Sequence, residues 1–173
     1  MTGLVLQVNL SKGGIPKIAI PSAELTEVGL AGDAWRYPFH GGRRKTILLV
    51  TVEGIEELVA QGFPLFAGAL GENLTTRGLD RRQLRFGQRL QVGEAEIELT
   101  QMRTPCAALN VYGTGIQAAM YDVRVQAGDS GSPRWGLSGF YALVVRPGTI
   151  RGGDTIALVD NREEGNEARL TGK

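Results

Sequence analysis

Arg89-Leu90-Gln91-Val92-Gly93-Glu94-Ala95-Glu96-Ile97-Glu98-Leu99-Thr100 is the stretch whose reading decides the fold. Residues 89–92 and 95–100 read as two strands of a hairpin that turns at Gly93-Glu94. Glu94, Glu96 and Glu98 alternate with Ala95, Ile97 and Leu99. A period of two gives a strand one solvated face and one buried face. Outward from this hairpin the chain keeps supplying short strands. Residues 4–10 are aliphatic and β-branched, and Ser11-Lys12-Gly13-Gly14-Ile15-Pro16-Lys17 is a turn. Residues 17–20 and 23–28 are two short strands, and Pro21 between them marks a sheet edge or corner. Residues 46–50, 140–145 and 155–160 complete the set, with a turn at Arg146-Pro147-Gly148.

Helical signals are few. Residues 52–61 carry Ile55, Leu58 and Val59 on one face, with Glu53, Glu56 and Glu57 near the start. Acidic groups there complement the helix dipole, and Gly62 with Pro64 ends the segment. Residues 116–121 predict a second, shorter helix. Residues 29–44, 68–79 and 128–139 read as loops, and residues 101–106 as the exit from a strand that Pro105 blocks. The expectation is a mainly β barrel of about eight strands with one or two short helices.

Composition agrees. The chain has 173 residues, 42% of them hydrophobic and 21% charged. That size fits one domain with its own core, expected over residues 1–160 with a polar C-terminal tail over 161–173. The 25 glycines are spread along the chain, at about twice the usual frequency of roughly 7%, as many tight turns require. A net charge of +1 supplies no field to gather nucleic acid or an anionic membrane surface. The first residues lack a basic stretch followed by an apolar one, and no run approaches the length needed to cross a bilayer. A cytoplasmic protein is expected, with neither nucleic acid nor membrane as partner.

One cysteine and one histidine narrow the chemistry. Cys106 follows Arg103-Thr104-Pro105. A lone cysteine is commonly a small buried hydrophobe. Here the proline ends the ladder just before the sulfur, and Arg103 is a cation that would favour the thiolate. A soft thiolate suits molybdenum or a persulfide. His40, in Phe39-His40-Gly41-Gly42, reads either as a loop histidine bound to backbone or as a group beside a ligand. Four-ligand zinc sites need more N/S donors than this, while a Cys–His hydrolytic pair stays open. Arg43, Arg44 and Lys45 behind two glycines read as a solvated turn or as a phosphate cradle. Gly113-Thr114-Gly115-Ile116-Gln117-Ala118 matches a dinucleotide pattern without the alternating strands and helices that pattern needs.

Taken in order, the motifs resemble the MOSC domain family. The matching pieces are Gly29-Leu30-Ala31-Gly32-Asp33, His40-Gly41-Gly42 with Lys45, and Gly71-Glu72-Asn73-Leu74. Gly87 with Gly93, Arg103-Thr104-Pro105-Cys106, Gly139-Phe140-Tyr141, Arg146-Pro147-Gly148 and Gly152-Gly153-Asp154 follow. The resemblance is to stand-alone members, similar to the C-terminal domain of molybdenum cofactor sulfurases and to N-hydroxylaminopurine-resistance proteins. It implies a MOSC-type β-barrel and a molybdopterin-type cofactor. It places the family's key cysteine at Cys106, as molybdenum ligand or sulfur carrier. His40, Asn73, Arg103 and Thr104 would line the cofactor cleft, and Arg43 and Lys45 would meet a phosphate. The implied activity is reduction of N-hydroxylated compounds, with a small-molecule substrate and an electron-donor protein. The alternatives are delivery of persulfide sulfur to a client molybdoenzyme and a module without catalysis. The pyridoxal phosphate-binding desulfurase domain of the sulfurases has no counterpart in these residues, so extraction of sulfur from cysteine is not expected of them unaided.

Overall fold

Strand Ile47–Thr51 is buried at all five positions, which a strand achieves only when both of its faces are covered. Ile47 and Leu49 point into one apolar core with Leu25, Leu90, Ile97 and Phe140. Leu48 and Val50 point into a second with Ile55, Leu58, Leu109 and Met120. The first core fills a barrel. The second lies between the barrel's outer wall and a helical layer.

This is a computed structural model that describes residues 1–34 and 42–159. Its strands are β1 (Thr2–Leu10), β2 (Ile18–Ile20), β3 (Ser22–Thr26), β4 (Gly29–Leu30), β5 (Ile47–Thr51), β6 (Leu74–Arg77), β7 (Arg89–Val92), β8 (Ala95–Met102), β9 (Phe140–Arg146), β10 (Gly148–Arg151) and β11 (Thr155–Leu158). The helices are α1 (Val52–Ala60), α2 (Ile116–Met120) and α3 (Val123–Gln126), with 3-10 turns at Arg81–Gln83 and Ala107–Tyr112. Seven strands run β11-β7-β8-β9-β5-β6-β1, and β1 pairs back to β11. Closure removes the free edges that an open sheet would expose. β2 extends the sheet beyond β1, and β10, β3 and β4 form a small second sheet.

Within the barrel only β5 and β6 pair in parallel. A parallel pair needs a crossover connection, and α1 with the loop behind it supplies one. Thr51 caps α1, its Oγ1 accepting from the Gly54 N–H at 3.2 Å. The β7–β8 hairpin forms as expected, in the register Arg89↔Glu98, Leu90↔Ile97, Val92↔Ala95. Gly93 turns it at φ 53°, and a Cβ there would lie 2.3 Å from the Asp154 carboxylate, so only glycine fits. Glu96 and Glu98 face outward and pair with Arg89 and Arg146.

The mainly β expectation holds, and several local readings need correction. Residues 68–79 are not all loop, because they contain β6. Leu74, Thr75 and Thr76 are all buried, so this strand shows no alternation. β8 runs on to Met102 rather than ending at Thr100. The helices are few and short, three α-helices of nine residues or fewer among the described residues. β4 and β10 form where the sequence predicts a loop and a turn. The polar tail over 161–173 lies outside the described residues. Among the described residues, no helix is long and apolar enough to cross a membrane.

Phe140 is fully buried in the barrel and stacks edge-on with Trp135. Phe140→Ala is expected to lower the unfolding free energy by about 3–5 kcal/mol. Val145→Ala, at an exposed position on the same strand, is expected to change it by about 0.5 kcal/mol or less. Urea unfolding of the two variants checks the assignment of inner and outer faces.

Candidate functional site

The barrel wall breaks where β8 ends. The Arg103 N–H donates to the Gly139 carbonyl at 2.9 Å, and the Ser138 hydroxyl donates to the Arg103 carbonyl at 2.7 Å. These bonds pin the last residue of the wall. Pro105 then turns the chain outward, and Cys106 starts the 3-10 turn Ala107–Tyr112 with an extended backbone (φ −114°, ψ 168°). The Cys106 carbonyl accepts from the Leu109 N–H at 3.1 Å. Its side chain makes no capping hydrogen bond. The half-buried thiol is therefore positioned by the backbone on both sides and takes no part in capping the turn.

Arg103 is 8% exposed, and its Nη1 has no hydrogen-bond partner among the described residues. Burial pulls the guanidinium below its usual range, and charge on Tyr141, Cys106 and Glu72 opposes that pull. Tyr141 stands on the outer face of β9. Burial raises its phenol, Arg103 lowers it, and Cys106 raises it further. Lys45 reaches over the Tyr141 ring, 5.5 Å from its centre, a cation–π distance. Glu72 is fully buried. Its Oε1 accepts from the Gly68 N–H at 2.6 Å and from the Thr75 hydroxyl at 2.8 Å, and its Oε2 has no partner. Burial raises its carboxyl. Tyr112 is also raised, by burial first and by Glu72 second.

Strand order brings these groups together. β8, β9, β5 and β6 are consecutive in the barrel. Arg103 and Cys106 follow β8, Tyr141 is the second residue of β9, Lys45 precedes β5, and Glu72 precedes β6. Tyr141 and Tyr112 pack against the second core, so this group of side chains lies outside the barrel, on the side of the helical layer.

Asn73 has a different place. It is 2% exposed and its amide is bound internally. Oδ1 accepts from the Leu48 N–H at 3.1 Å. Nδ2 donates to Asp33 at 2.7 Å and to the Asn9 carbonyl at 3.4 Å. Asp33 also pairs with buried Lys17 and accepts from the Ser11 N–H at 2.9 Å. Asn73 thus ties β5, β6 and β1 together behind the cleft. Gly68, held by Glu72, has φ 95°, and a Cβ there would lie 2.1 Å from the Lys17 carbonyl.

The structure therefore brings Cys106 and Arg103 close to Tyr141, over whose ring Lys45 lies. Thr104 and Arg43 are exposed. His40 lies outside the described residues. Tyr141 was visible in the sequence only as part of Gly139-Phe140-Tyr141 and Lys17 only as the end of the Ser11–Lys17 turn, and Tyr112 gave no signal. The Gly113-Thr114-Gly115 pattern follows a 3-10 turn and precedes a helix of only five residues, not the strand and long helix of a dinucleotide site. Among the described residues, no group of three or more His, Cys, Asp or Glu could hold a metal.

A family model for the MOSC domain matches residues 36–157. The chain belongs to the MOSC domain family. This family is known in molybdenum cofactor-binding contexts. The chain is 29% identical over 129 residues to the uncharacterized protein YflK of Bacillus subtilis (strain 168), covering 73% of this chain and 53% of YflK. It is 36% identical over 93 residues to YiiM of Escherichia coli (strain K12), covering 51% of this chain and 42% of YiiM. The chain thus spans about half the length of the curated relatives it matches. The crystal structure of Escherichia coli YiiM superposes with a TM-score of 0.66 at 26% identity, covering 91% of this MOSC chain and 70% of YiiM. A solved hypothetical protein gives a TM-score of 0.69 at 28% identity, covering 92% and 70%. YuaD of Bacillus subtilis, at 19% identity and a TM-score of 0.68 over 90% and 94%, shares the fold.

Asn73→Ala would leave the Leu48 N–H and the buried Lys17–Asp33 pair short of a partner. It is expected to cost about 2–4 kcal/mol of stability. Thr104→Ala, at an exposed position, is expected to cost about 0.5 kcal/mol or less. Paired urea titrations separate the framing role of Asn73 from the surface role of Thr104.

Proposed function

We propose that this MOSC domain binds a molybdopterin-type cofactor in the Cys106 cleft, with the Cys106 thiolate as the protein's molybdenum ligand, and reduces N-hydroxylated small molecules. The observation that carries this reading is a half-buried sulfur unused by the fold beside a buried Arg103 with one unpartnered nitrogen. A buried cation with a free donor is a receptor for an anion. The cofactor's anionic groups match it, and a thiolate is a soft ligand suited to molybdenum.

Arg103 would hold the anionic part of the cofactor and favour the thiolate form of Cys106. Lys45, steadied on Tyr141, would meet a phosphate, as would Arg43 from the exposed flank. Thr104 would offer a hydroxyl at the same rim. Asn73 would act through the wall it ties together, holding the ends of β5 and β6 that frame the cleft. His40 would orient a ligand or move a proton beside it. When bound, the cofactor supplies the two-electron chemistry, and the protein supplies position and electrostatics. The net reaction breaks one N–O bond, consumes two electrons and two protons, and releases water. A partner protein would deliver the electrons.

A second reading rests on the same accessible sulfur. Cys106 would carry a persulfide to the cofactor of a client molybdoenzyme, which requires a reactive, reachable thiol.

The decisive comparison is molybdenum content in wild type, Cys106→Ser and Arg103→Gln, each purified from a host that makes the cofactor. Near-stoichiometric metal in wild type, its loss in Cys106→Ser and a several-fold drop in Arg103→Gln are expected, with all three proteins folded. Undiminished metal in Cys106→Ser would overturn the ligand assignment. A mass increase of about 32 Da on Cys106, one added sulfur, with no metal would favour the carrier.

A further inference from the structure

Arg103 and Glu72 are complementary, buried and electrostatically coupled, yet no ion pair within 4 Å joins them. Each keeps one atom without a partner among the described residues, Nη1 on the arginine and Oε2 on the glutamate. A guanidinium cannot shed its charge in a protein. A carboxylate can, by taking up a proton, and a buried carboxyl without a pairing cation is driven to do so. Its Oε1 accepts from the Gly68 N–H and the Thr75 hydroxyl, bonds that by themselves favour the carboxylate, but burial outweighs them and leaves Oε2, the oxygen they do not hold, to carry the proton. The other groups facing it among the described residues are the Tyr112 phenol and, through Asn73, the closed Lys17–Asp33 pair.

We propose that Glu72 is a positioning residue that stays a neutral acid beside Arg103, so that the guanidinium charge acts on the Cys106 sulfur and on an anion in the cleft instead of being neutralised inside the protein. This rests on the reading of Cys106 as the working thiolate. A permanent Glu72–Arg103 salt bridge would cancel the field at the sulfur. A hydrophobic residue at position 72 would release Gly68 and Thr75. A neutral acid keeps the loop in place and leaves the cation uncompensated. Burial, which raises the Glu72 carboxyl, acts in the same direction.

The test uses the cofactor-free chain and Glu72→Gln, whose amide oxygen can accept the same two bonds. The first readout is stability against pH. An acid raised by folding makes the folded chain bind one proton more than the unfolded chain above the model value of 4.5. The wild-type unfolding constant should then grow about tenfold per pH unit above that value relative to Glu72→Gln. A carboxylate paired with Arg103 gives the opposite sign, with wild type gaining on Glu72→Gln as the pH rises, and overturns the proposal. The second readout is the rate of Cys106 alkylation by iodoacetamide between pH 6 and 9. Matching profiles in the two proteins are expected. A rise of about tenfold at neutral pH in Glu72→Gln, one unit of thiol shift from a newly freed Arg103, overturns the proposal. A thiol that labels no faster than free cysteine in both proteins contradicts the reactive Cys106 and the claim that the Arg103 charge reaches it. The stability readout then still reports the state of Glu72 by itself.

Discussion

Strand β5 has no solvent face, and the rest of the molecule is arranged around that constraint. Ile47 and Leu49 complete the barrel core, while Leu48 and Val50 complete the layer beneath α1 and α2. A single apolar strand therefore joins two cores. Its neighbours follow from it. β9 pairs with it antiparallel and β6 parallel, and the parallel pair requires the crossover through α1. Asn73 fixes that junction by accepting from the Leu48 N–H and donating to Asp33.

The cleft concentrates charge where water is scarce. Arg103 is nearly buried and, among the described residues, has no carboxylate within salt-bridge distance. Burying an ion costs several kcal/mol unless something compensates it. Stable folds tolerate such sites when the compensation comes from outside, from a ligand that carries the opposite charge. In this cleft the compensators on hand are the Cys106 sulfur and whatever anion the cleft admits. Tyr141 and Lys45 extend the same polarity along the wall. This explains why the cysteine sits at the mouth of a turn, where the backbone fixes it and no capping bond consumes its sulfur.

The sequence was most legible where one periodicity ruled. The β7–β8 hairpin, β5 and α1 were readable because each has a dominant pattern, alternating, continuously apolar or helical. β6 was not, because Leu74, Thr75 and Thr76 are buried together and Thr75 serves a polar network instead of a face. β4 and β10 are too short to show any period. For the site, Cys106 and Arg103 stood out as a lone thiol beside a cation behind a proline. Asn73 was legible as a motif but not as a wall tie, since its partners Asp33 and Asn9 lie 40 and 64 residues away along the chain. Glu72 looked like a turn residue. Its isolation from solvent arises from packing between β6 and the loop that Gly68 closes, which no local pattern records.

The central claim is that the Cys106 sulfur is the atom through which the protein holds its metal. X-ray absorption at the molybdenum edge tests it most directly, on cofactor-loaded wild type beside whatever residual metal Cys106→Ser retains. The account predicts one fewer sulfur in the molybdenum ligand shell of the variant, replaced by oxygen or nothing. An unchanged sulfur count in a variant that still holds the metal would contradict it.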